Sequence, residues 1–493
     1  MRSGSDNARS IAVLRTTALV FLFGVCSFAS IQVSAQPAPA DCAPLAVATA
    51  PQTPGQPLTA DEVVLTGVNG EERARAVFSQ PLQVTPSTVP GRSIVRSLGN
   101  VYGVLALPDS GGSAATITPI DILAGENTVQ RGGPAFLVPE DSRFDLFHDP
   151  AALSAYLVDI VSGDGLALSE LVDGSGTIVS AAVAPGDRWL ATWTGRTIIL
   201  ADLTSGSLTD LSTDDEELGA PSFSDAGSGL YFLRRGADNQ AKIVLHNLAS
   251  GTETQLGNTG AWFWLRHFPG DILIAQNPEG LYRVPLDGSA PIALLSLNAE
   301  MRPRMIDPQG QKLLVEIRAS DAPKWVLVDL TGAGGFEMPD LTGLYLPSAD
   351  PQASWALLLP QEGSQQGVPG APYTTIDLAT GATTTVLTQD SDATYLFEAA
   401  TGSNGQFSLV RSLSTAVGRL WLIDAQQGIA ELIASSPGGA AGVLSPDGCY
   451  LAYGVFDTIG EGRQGNVEVI DLHTRQVTTT ITDAILLGWA STG

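Results

Sequence analysis

The densest gathering of residues able to recognise a ligand is the run AWFWLRHF at positions 261–268. On a strand the side chains alternate, so Trp262 and Trp264 share one face while Phe263 and Leu265 share the other. Aromatic pairs of this kind serve either as packing between sheets or as a platform on which a ligand stacks. Arg266 and His267, at the end of the run, would add a fixed positive charge and a titratable ring. Core packing is the default reading of the run; Trp262, Trp264, Arg266 and His267 are the candidate binding residues of the alternative, a ligand site.

Catalytic patterns are scarce. The chain has no G-x-S-x-G elbow for a serine nucleophile and no H-E-x-x-H pair for a catalytic metal. Its histidines, His148, His246, His267 and His473, are too widely separated for zinc-type spacing. One G-x-G-x-x-G occurs at Gly460–Gly465, but it lies between two strand-like segments, whereas a dinucleotide loop must open a helix. It reads as a flexible loop. The acidic runs TDDEEL (Thr213–Leu218) and QDSDAT (with Asp390 and Asp392) do not match the calcium loop of an EF-hand and read as solvated turns. No catalytic residue and no metal ligand is assigned; calcium is the one cofactor left open.

The elements that must position these residues show themselves by repetition. LSPDGCYLAYGV, from Leu444 to Val455, reads as a strand, a tight turn and a second strand. Related hairpins begin at Val183, Phe223, His267, Ile306, Ala349 and Gly402. Their Pro, Gly, Asp and Asn residues set turn dihedrals or cap the turn with a side-chain hydrogen bond, so Asp307, Asp350, Asp447 and Gly448 are read as structural turn residues. A second mark follows each hairpin, an apolar strand ending in a polar turn, as at Asp159, Asp202, Asn247, Asp329, Asp377, Asp424 and Asp471. The period is roughly 44 residues, in the range of solenoids and propellers. Four antiparallel strands per period make the blade of an all-β propeller, and no sustained helical period competes with that reading.

The last unit, LSPDGCYLAY followed by VEVIDLHTRQVTTTIT, resembles the repeat of TolB-like propellers, relatives of the WD-repeat proteins. The same repeat builds the propeller of prolyl-oligopeptidase-type enzymes. The resemblance extends from near residue 93 to the end and is degenerate outside the last unit. It implies a single propeller and a binding role of the TolB type, and carries over no catalytic residue. The segment AILLGWASTG, from Ala484, reads as an inner strand with nothing after it. It would complete a blade begun near residue 93 and close the ring by pairing N- and C-terminal strands, which removes exposed sheet edges. The expectation is eight blades, with seven and nine open.

Address and bulk follow from the rest of the chain. Arg2, Arg9 and Arg15 precede an apolar run from Thr16 to Ile31, and Val33-Ser34-Ala35 ends it, the layout of a secretory signal peptide over 1–35. An uncleaved anchor is the alternative. Residues 36–92 lack the repeat and open with a Pro/Ala-rich stretch, read as an extended arm or linker, with the propeller at 93–493. The net charge of −26 disfavours nucleic acid and anionic lipid as partners, while 44% hydrophobic and 15% charged residues allow a packed core. Export permits a disulfide, and ring closure would bring Cys42 near Cys449.

These readings describe an exported protein, periplasmic, cell-surface or extracellular, monomeric and without a membrane span after signal cleavage. Its expected function is non-enzymatic binding of a protein partner in the cell envelope, through loops such as Pro360–Pro372 and Asp457–Gly465. The alternative is a small-ligand-binding or enzymatic propeller of lyase or hydrolase type, using the central opening, with calcium as a conceivable ion.

Overall fold

The computed structural model describes Cys42, residues 45–52 and residues 61–492, apart from 99, 109–113, 124–128, 134, 140, 173–176, 214–215, 297–298, 319–322, 333, 339–340, 342–343, 347–352, 361–371, 389–392, 402–404, 415–416 and 457–463. These residues form nine sheets, eight of four or five strands and one of eight. The architecture is a single β-propeller of about eight blades, and the sheet count lies within the seven to nine expected from the repeats. Among the described residues, helix is confined to short 3-10 turns such as Asp121–Leu123 and Leu168–Leu171, and no helix is long and apolar enough to cross a membrane.

The turn spelling explains why each unit folds as it does. At the opening hairpin, the Gly448 amide donates to the Ser445 carbonyl, and the Asp447 carboxylate accepts from Ser445 Oγ and the Cys449 amide. Gly448 sits at φ +71, a conformation that costs glycine little. Asp307 does similar work, its carboxylate accepting the Gln311 and Lys312 amides. Asp350 falls outside the described residues. The strand-ending marks are carboxylates or amides folded back on their own turns: Asp202 accepts from Thr204 and Ser205, Asn247 from Ala249 and Ser250, Asp377 from Ala379 and Thr380, and Asp471 from His473 and Thr474. Such local bonds end a strand by offering the amides a partner other than the next ladder.

The core lies between consecutive sheets. Ile274 and Leu281 of one sheet interleave with Leu313, Val315, Val326 and Val328 of the next, and Leu200, Leu230, Phe232 and Val244 join an earlier pair. Each sheet thus buries both faces, which is why its strands read as nearly continuous apolar runs.

Ring closure pairs the chain's two ends, with a shifted N-terminal partner. Ala484–Ser491 runs antiparallel to Leu45–Pro51, and Glu62–Gly67 and Glu72–Val77 complete that half of the eight-stranded sheet. The other half, starting with Pro81–Pro86, meets Ala484–Ser491 at one parallel pair, Val84 with Gly488. A Cβ on Gly488 would lie 2.1 Å from the Val84 carbonyl oxygen, and its φ is +137, so this junction needs glycine. The reading of 36–92 as an arm or linker is therefore corrected: four strands between Leu45 and Pro86 belong to the ring. Leu45–Pro51 is Ala-rich and buried on both faces, so it shows neither alternation nor a turn motif. Cys42 and Cys449 are joined by a disulfide, with Cα atoms 5.9 Å apart.

Candidate functional site

The strand Trp264–Phe268 opens its sheet and pairs on one edge only, with Ile272–Asn277. Trp262 lies before this strand, so alternation begins at Trp264 and the two tryptophans do not share a face. That expectation is corrected. Trp262 is buried edge-on against Tyr282, with ring centroids 5.2 Å apart, and its Nε1 donates to the Asn258 carbonyl. Trp264 instead packs, half-buried, on the neighbouring cluster that contains Phe268 and Ile306. Trp262 is a core residue; Trp264 is a wall residue.

His267 is held rather than free. Its ring stacks on Tyr231 at 5.3 Å, and Nε2 lies 3.2 Å from Asp271 Oδ1. Asp225 reaches across from the preceding sheet, where one carboxylate oxygen accepts the Gly270 and Asp271 amides at 2.7 and 3.0 Å. The Asp225 amide donates back to Asp271. An earlier pair of sheets repeats the device, with the Asp187 carboxylate accepting the Arg143 amide and Ser142 Oγ. The donor atoms of Asp225, His267 and Asp271 lie within 4.8 Å of one another, close enough for a cation, and the sheet-to-sheet clamp accounts for that convergence. Burial, aided by Asp271 and Asp225, pushes the Tyr231 hydroxyl up to about 12. Tyr231 is therefore a protonated packing partner at neutral pH.

Beside this clamp lies a cavity of about 510 Å³, walled by residues drawn from 135–139, 179–185, 220–225 and 264–269, which belong to three consecutive sheets. Trp193, Trp264, Arg266 and His267 all face it. A second cavity, of about 400 Å³, adjoins it and shares Trp193, Ala220, Trp264 and Leu265. The rim is apolar and open to solvent: Leu137, Val179 and Phe263 are 45%, 43% and 49% exposed. Sequence reasoning singled out Trp264, Arg266 and His267, but missed Trp193, Leu137 and Val179. These come from other repeats, and no local pattern joins them.

Arg266 is the one cavity group in electrostatic difficulty. Burial, reinforced by the nearby Arg304 guanidinium, pushes its pKa down. Its guanidinium lies 4.9 Å above the Phe268 ring, and among the described residues no carboxylate forms an ion pair with it. Arg304, by contrast, is paired with Glu316. In a further cavity of about 520 Å³, Arg131 is engaged by Asp145, Thr85 and Pro86, and Arg96 by Asn100.

Of the acidic runs, Glu216 pairs with Arg234 and Glu217 with Arg196. QDSDAT and the GEGRQG loop fall mostly outside the described residues, as do the two loops expected to bind a partner.

No family model matches the chain, and no curated protein matches it. Solved structures do. An oligogalacturonate lyase from Vibrio parahaemolyticus aligns with 10% identity over 70% of this chain and 97% of its own, at a TM-score of 0.41. The propeller of Dos1 aligns with 11% identity over 68% and 95%, again at 0.41. Dipeptidyl peptidase 4 of Porphyromonas gingivalis aligns with 12% identity over 82% of this chain and 59% of its own, at 0.42.

Proposed function

We propose that the protein is a binding module, a rigid propeller that holds its ligand at the cavity walled by Trp193, Trp264 and Arg266. The observation that carries this reading is the coincidence of exposed apolar residues with that cavity. Leu137 and Val179 rim it, Phe263 rims the adjoining cavity, and tryptophans line the wall the two share. Soluble proteins seldom leave contiguous apolar surface uncovered unless it meets something. Ligand sites are concave, mostly apolar and carry a few polar anchors. The resemblance of the last repeat to TolB-like propellers supports binding rather than catalysis, and the secretory layout of residues 1–35 supports an exported setting.

The test is a fragment screen by ¹⁹F NMR on the full chain labelled with 5-fluorotryptophan. Bound fragments should shift the Trp193 and Trp264 signals and leave Trp325 and Trp489, which are buried elsewhere, unmoved. A screen whose hits move only other tryptophans would remove this cavity from consideration.

A further inference from the structure

We infer that the cavity takes a small carboxylate-bearing molecule with a ring or apolar body, and that Arg266 is the residue that anchors its charge. The inference rests on the cavity being the binding surface, and it names the chemistry of what binds there. Arg266 is half-buried on the cavity wall, and a charged group partly withdrawn from water costs free energy unless it is paired. Arg304 on the first strand of the next sheet has Glu316, and Arg131 in another cavity has Asp145. Among the described residues, Arg266 has only the face of Phe268 and a second guanidinium that repels it. This occurs in a chain with 51 acidic residues against 25 basic ones, where carboxylate partners are abundant. No described carboxylate pairs with Arg266, so an anion from outside the chain would satisfy it.

The surroundings narrow the class. Guanidinium offers a planar fork that matches a carboxylate in two parallel hydrogen bonds, and contact with Phe268 restrains its orientation beforehand. Trp193, Trp264 and Leu265 give the rest of the ligand apolar and aromatic contact. The other charged groups on the wall are Asp225 and His267. The Asp225 carboxylate accepts backbone amides, and His267 faces Asp271, so neither competes for the anion as a cation would. The net charge of −26 repels polyanions at long range but costs a single carboxylate little once it lies within the screening distance of about 8–10 Å from Arg266.

The experiment is isothermal titration of the full chain with benzoate and with benzamide, its uncharged isostere, repeated on Arg266→Met. Methionine keeps an unbranched apolar stem and removes the charge. The expected result is at least about tenfold tighter binding of benzoate than of benzamide by the unaltered chain. In Arg266→Met the benzoate affinity should fall to the benzamide level, with benzamide binding unchanged, which also shows that the variant cavity is intact. Equal affinities for the two probes would overturn the anion assignment and leave the cavity reading standing. A benzoate preference that survives in Arg266→Met would overturn the role of Arg266. Saturable binding of neither probe would overturn both readings.

Discussion

Ala484–Ser491 and Trp264–Phe268 are both short apolar strands from which a sheet is built, yet they treat their polar groups oppositely. The closing strand is flanked on both edges, by Leu45–Pro51 and by Val84. Its side-chain polar groups are spent inside the protein: Trp489 Nε1 donates to the Val443 carbonyl and Ser491 Oγ accepts the Gly91 amide, while the Ser491 amide donates to Ser93 Oγ. Among the described residues, Trp264–Phe268 is flanked on one edge, lines a cavity, and leaves Arg266 without a carboxylate. A region that closes a ring gains from complete satisfaction, because every unmet group weakens the fold. A region that binds gains from incompleteness, because an unmet group is what a ligand can supply.

The contrast can be broken first at the closure. Gly488→Val places side-chain atoms against the Val84 carbonyl at a positive φ, and should cost about 3–5 kcal/mol, read as a large fall in the denaturation midpoint. A mild effect would mean that the two halves of the closing sheet can part without cost. Trp262→Ala should cost about as much, 3–5 kcal/mol by the same measurement, since it empties a buried aromatic site. Next in size is the disulfide. Replacing Cys42 and Cys449 with serine should lower stability by about 2–4 kcal/mol, and a reducing agent should reproduce the loss in the unaltered chain.

On the cavity side, Arg266→Met should leave stability within about 0.5 kcal/mol, because an apolar stem replaces a charge the fold does not pair. A large loss there would make Arg266 a structural residue and erase the contrast. The smallest effect concerns pH. Burial pushes the imidazoles of His148 and His246 below their ordinary value of 6.5, so the folded chain resists protons that the unfolded chain accepts. Their contribution is intact above that value and is lost as pH falls below it toward the folded values. The melting temperature should therefore drop modestly between pH 7 and 5, and His246→Gln should flatten part of the slope.

How much of this was legible in the sequence depends on whether a role is local. Turn carboxylates such as Asp307, Asp447 and Asp471 bond to amides within a few residues of themselves, so their spelling alone disclosed the strand boundaries. The pairing of the chain's ends was legible from the orphan strand at Ala484, but its partner was not. Leu45–Pro51 lies among Pro- and Ala-rich residues, and a strand buried on both faces carries no period of two. In the candidate site, Trp264, Arg266 and His267 stood out because they are neighbours in one run. Trp193, Leu137 and Val179 reach the same cavity only through the stacking of sheets, which a linear pattern does not encode. The separation of Trp262 from Trp264 was missed for a related reason. Alternation holds within a strand, and the strand begins two residues too late to include Trp262 and Phe263 on the expected faces.

The most direct test of the central claim is a crystal structure of the full chain with benzoate bound. The account predicts the carboxylate within about 3.2 Å of the Arg266 guanidinium nitrogens, with the ring against Trp264 or Trp193. Benzoate seated elsewhere, with Arg266 still facing only Phe268, would contradict it.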